Sequence, residues 1–75
     1  MVTLRRQANR KIAVHGADHG VPHFHVEGPD CRCSLVIADG ELIVGAAPAR
    51  VLAAARAWAA SHAAELAATW QELNR

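Results

Sequence analysis

At 75 residues the chain holds one domain at most, here residues 1–75, near the size at which a lone core is only marginally stable. Apolar residues make up 52% of it, or 39, but 17 of these are alanine, leaving 22 larger side chains for one thin sheet-and-helix core. Eight basic against seven acidic residues give a net +1. These values exclude a multidomain enzyme, a dinucleotide fold and a large internal substrate cavity, and they do not mark a nucleic-acid binder by bulk charge.

Charge is unevenly spread. Arg5, Arg6, Arg10 and Lys11 sit in the first 17 residues without an acid, so residues 1–10 read as a basic amino-terminal arm able to meet phosphate or an acidic partner. Residues 11–15 alternate and predict a first strand, followed by a loop over 16–22 with two glycines and a proline. Residues 23–27 alternate strictly and predict a second strand. After the Gly28-Pro29-Asp30 turn, residues 31–38 predict a third, the most apolar. Asp39-Gly40 is a two-residue hairpin signal, and residues 41–45 return as a fourth strand.

Beyond Gly45 the period changes. Pro48 suits a first helical turn, and no proline or glycine follows it, so residues 48–73 predict one long helix. Its stripe runs Val51, Leu52, Ala55, Trp58, Ala59, His62, Leu66, Trp70 and Leu73. The expected class is α+β: a four-stranded antiparallel meander with one long C-terminal helix packed on one face.

Strand parity places Phe24 and Val26 toward that helix and His23, His25 and Glu27 on the opposite, open face, with Val36 and Ile43 beside them. An open face of this mixed character suits a homodimer or a small partner protein. Cys31 and Cys33, two residues apart on one strand, read as buried thiols, since a disulfide between them would be strained. With no secretory leader and no membrane-length apolar run, the expectation is a soluble cytoplasmic protein.

Asp18, His19, His23 and His25 fall within eight residues. Three chemistries are open. The imidazoles can ligate a divalent transition metal (zinc, nickel or copper) through His19, His23 and His25, with Asp18 or His62 completing the shell. They can act as general acid and base on an RNA phosphodiester, with His23 or His25 as base, His19 as acid, and Arg10 or Lys11 neutralising the phosphate. Or they hydrogen-bond the loop and shape an interface. His62, between Trp58 and Leu66, reads as a core histidine when taken alone. No aromatic platform, phosphate-cradling glycine loop or serine-nucleophile motif accompanies them.

The run Asp18-His19 followed by Pro22-His23-Phe24-His25-Val26, with Trp58, His62, Glu65-Leu66 and Trp70 further on, resembles the domain of unknown function family 4160. The resemblance spans about residues 11–72, with Val21 standing where the family usually has a second proline. It implies a small α+β protein of the bacterial cytoplasm, often one half of a two-gene, toxin–antitoxin-like module. It marks Asp18, His19, His23, His25 and His62 as motif positions and carries no catalytic assignment.

Overall fold

The structure, a computed structural model, describes residues 2–7, 9–16 and 20–74. Five strands pair in chain order as one antiparallel meander: β1 (Val2–Gln7), β2 (Arg10–Val14), β3 (His23–Gly28), β4 (Cys31–Val36) and β5 (Leu42–Ala46). Two helices follow, α1 (Ala49–Ser61) and α2 (Ala63–Asn74). The α+β class and the meander agree with the sequence, whereas four strands and a single helix do not.

The additional strand is β1, in the segment expected to be a basic arm. Val2-Thr3-Leu4 has the composition of a strand, but the β1–β2 register slips between Thr3 and Arg5. That bulge breaks the alternation that would have announced it. Arg5 thereby pairs with Ile12 and Arg6 with Lys11, so the two arginines go to opposite faces.

The second correction is at His62. A single helix over residues 48–73 would be about 39 Å long at 1.5 Å per residue, yet the longest dimension of the protein is 32 Å. The helix is interrupted instead. His62 leaves helical geometry at φ −125°, and its N–H donates to Ala59 O at 3.1 Å, a tighter closure than the α-helical one. Its Nδ1–H donates to Trp58 O at 2.8 Å, occupying a carbonyl of the preceding turn. Leu66 N–H then donates to His62 O at 3.0 Å and the helix resumes.

The β4–β5 connection is also wider than a two-residue hairpin. Ile37 leaves the ladder, donates its N–H to Pro22 O at 3.1 Å and buries its side chain in the core. Gly40, at φ +74°, closes the turn by donating to Val36 O at 2.8 Å. Within β5, Gly45 has φ +88° and faces Cys33 across the ladder; a Cβ there would fall onto the carbonyl oxygen of Arg32. Only glycine lets β5 lie this close to β4.

The helices cover one face. Ile12, Val14, Phe24, Val26, Cys33 and Leu35 from the sheet join Val51, Ala55, Ala59, Leu66 and Trp70 in one buried cluster. The registers Ile12–Val26–Cys33 and Phe24–Leu35 align these residues across the strands. Both cysteines are free and buried, and burial pushes each thiol above its usual pKa. They are core side chains, poorly ionised at neutral pH. No described helix is long and apolar enough to cross a membrane.

Candidate functional site

Alternate residues of the same strands build the opposite face. The register aligns Thr3, Ala13, His25, Ser34 and Val44 in one row across all five strands, and Arg6, Lys11, Glu27, Arg32 and Ala46 in the next. As expected from alternation, His23, His25 and Glu27 are on this face and Phe24 and Val26 on the other.

The imidazoles are gathered. His15 stacks on His25 with ring centroids 4.0 Å apart and planes at 17°. His23 meets the edge of His25 at 5.1 Å. Beyond it lies Trp70 from α2, 4.9 Å from the His23 ring, so the indole borders both the core and the end of the histidine row.

Each ring is oriented by a neighbour. His23 Nδ1–H donates to Val21 O at 2.8 Å, which in the neutral ring leaves the lone pair on Nε2. His25 Nδ1 and Ser34 Oγ are hydrogen-bonded at 3.1 Å, and Ser34 is otherwise a buried hydroxyl. His15 Nε2 lies 3.6 Å from Glu27 Oε1, too long for a hydrogen bond, and this buried atom has no hydrogen-bond partner among the described residues. Glu27 is also 3.7 Å from the Arg32 guanidinium and stands opposite Lys11 in the ladder. The face therefore carries imidazoles, a carboxylate and cations side by side, a set able to exchange protons or to recognise a polar surface.

The sequence-derived candidates separate into groups. His23, His25 and Lys11 share this face. Arg10 has the opposite parity and forms a two-point pair with Asp30, at 3.1 Å through Nε and 2.5 Å through a terminal nitrogen. That contact holds the Asp30 carboxyl below its usual pKa and raises Arg10 above its own. His62 is engaged with the indole of Trp58, stacked at 4.2 Å and 12°, at the helix break. Asp18 and His19 lie outside the described residues. Among the described residues, no group of three or more His, Cys, Asp or Glu is arranged to hold a metal ion.

His15 and Trp70 are the members of the row that sequence reading did not assign to it, whereas Ser34 follows from its parity with Val36. For His15 the signal was present: Lys11, Ala13 and His15 share parity on one strand, and Ala13 is the ladder partner of His25.

Of the two edge strands, β1 and β5, the apolar one is β5. β5 pairs only with β4 and exposes Leu42, Ile43 and Val44 to 38%, 49% and 63%. Val44 is the ladder partner of Ser34, so the exposed apolar strand continues directly from the histidine row.

The family described as Domain of unknown function (DUF4160) matches residues 11–71, from the second residue of β2 almost to the end of α2. The chain belongs to that family. No curated protein and no solved structure matches it significantly.

Proposed function

We propose that this member of the DUF4160 family is a protein-binding module, one half of a two-protein bacterial system, and that it docks a small cognate protein along β5 and the adjoining histidine face. The observation that carries this reading is the edge strand β5, whose Leu42, Ile43 and Val44 are exposed beside an unpaired backbone edge. Exposed apolar edge strands invite pairing with another chain, and monomeric proteins blunt them with charge, bulges or cover. Here the edge bears no lysine, arginine or proline along residues 42–46, and the register shift opposite Ser34 and Leu35 leaves Leu42, Ile43 and Val44 exposed. The imidazoles and Glu27 next to it supply the polar rim that sets partner choice.

The test is co-purification with the product of the neighbouring gene. The wild-type chain is expected to retain it, and Val44→Lys, which places a charge on the exposed edge, is expected to lose it while the purified variant keeps its melting temperature. Equal retention by both proteins refutes this docking surface, and a protein that dimerises through β5 instead identifies a second copy as the occupant.

A second reading rests on the contact line of His15, His25 and His23 with Lys11 on the same face. In it the face acts on RNA, one imidazole taking the proton of the attacking hydroxyl, another returning one to the leaving oxygen, and Lys11 facing the phosphate. RNA left intact by the purified wild-type chain, or cut equally by the His25→Ala variant, overturns it.

A further inference from the structure

On the other side of the sheet from the histidines, where β1 and β2 run beneath the start of α1, there is a cleft of about 280 Å³. Its floor is aliphatic, made by Ile12, Val26 and Val51. Its rim is cationic: Arg5, Arg10 and Arg50 line it, and among the described residues no acid does. Asp30 pairs with Arg10 at one end of this rim. Arg50 has no hydrogen-bond or ion-pair partner among the described residues, and Arg5 is held through Gln7 Oε1 at 2.5 Å with its guanidinium 5.9 Å from the Trp58 ring.

The first turn of α1 strengthens the same sign. Arg50 and Val51 belong to it, its cap residue Pro48 makes no side-chain cap hydrogen bond, and it contains no acid. The positive end of the helix dipole thus adds to the guanidinium groups instead of being offset by a carboxylate. Collecting like charges around an apolar hollow costs free energy in the empty protein, and an anion entering the hollow removes that cost. Guanidinium groups are also the side chains best matched to a carboxylate's two oxygens.

We propose that this cleft is a binding site for an organic carboxylate with a short aliphatic body, its charged end between Arg5 and Arg50 and its chain on the Ile12–Val26–Val51 floor. The cleft volume equals that of about nine liquid waters, so the body has roughly that many heavy atoms. Neither the free aliphatic acid nor the carboxyl terminus of a peptide ending in an aliphatic residue is favoured by the shape alone, since both present the same chemistry. The site is separate from the β5 edge, and its existence does not depend on the partner reading above.

The experiment is a calorimetric titration at low salt with hexanoate and with N-acetyl-leucine, the two sources in turn, and with hexylammonium as the charge-reversed control. At least one of the two acids is expected to bind saturably at 1:1, the tighter of them naming the source, and hexylammonium is expected not to bind. Arg50→Glu is expected to weaken the acid by about tenfold or more, the value of one hydrogen bond to a charged group. A glutamate in the first helical turn favours the helix, so that loss is not traceable to unfolding. Ala54→Phe, at an exposed α1 position lining the cleft, is expected to block binding by filling it. Failure of both acids to saturate, equal binding of hexylammonium, or affinity unchanged in both variants overturns the site.

Discussion

The two faces of the sheet are made by the same strands and differ only in the parity of the residues that build them. Phe24 and Val26 go under the helices while His23 and His25, each one position away, go to the uncovered side. The covered face is held by the apolar area that the helices bury against the strands. The uncovered face is held by oriented contacts: a stacked ring pair, the His25–Ser34 hydrogen bond and the Glu27 carboxylate among His15 and Arg32. Stability belongs chiefly to the first face, and the proposed function rests on the second.

The sharpest way to break the comparison is to exchange damage between faces. Phe24→Ala removes a fully buried ring and is expected to cost about 3–5 kcal/mol, comparable with the whole stability of a small domain; loss of the cooperative urea transition is the measurement. Gly45→Ala comes next. It combines a positive φ with a clash against the Arg32 carbonyl and is expected to cost more than about 1 kcal/mol, with faster amide exchange concentrated in β5.

His25→Ala, on the open face, forfeits its hydrogen bond and its stack on His15 and is expected to cost only about 1 kcal/mol, with an unchanged circular dichroism spectrum. A cost matching that of Phe24→Ala would erase the distinction between the faces. The smallest effect belongs to the exposed Arg10–Asp30 pair. Because the Asp30 carboxyl is held below its ordinary value of 3.8, its stabilising contribution is present above that pH and is lost as pH falls through the lowered value. Melting curves of wild type and Asp30→Asn are therefore expected to differ slightly at neutral pH and to converge in stronger acid.

Most of the architecture was legible because its signal is a period. The alternation in residues 23–27 and the threes and fours from Val51 to Leu73 identify the buried sides, and Phe24, Val26, Val51, Ala55, Ala59, Leu66 and Trp70 are buried as read. Features that interrupt a period stayed hidden. The bulge between Thr3 and Arg5 disguised β1. The helix break at His62 has no proline or glycine to announce it; it coincides with an imidazole bonding to a carbonyl of the preceding turn. At the site, parity found the face, but the mutual approach of His15, His25 and Trp70 depends on ladder register and helix docking, which parity does not encode.

The meander has a consequence for assembly. Every ladder joins neighbours in the chain, so the sheet can zip quickly from local hairpins. Its roof closes across a far longer span: the Asn74 side-chain amide donates to His15 O, 59 positions away, and Leu66 and Trp70 reach the core from α2. Until α2 docks, Phe24 and Leu35 lack part of their cover, so weakening the α2 contacts exposes apolar sheet to other molecules, a hazard distinct from loss of the sheet itself.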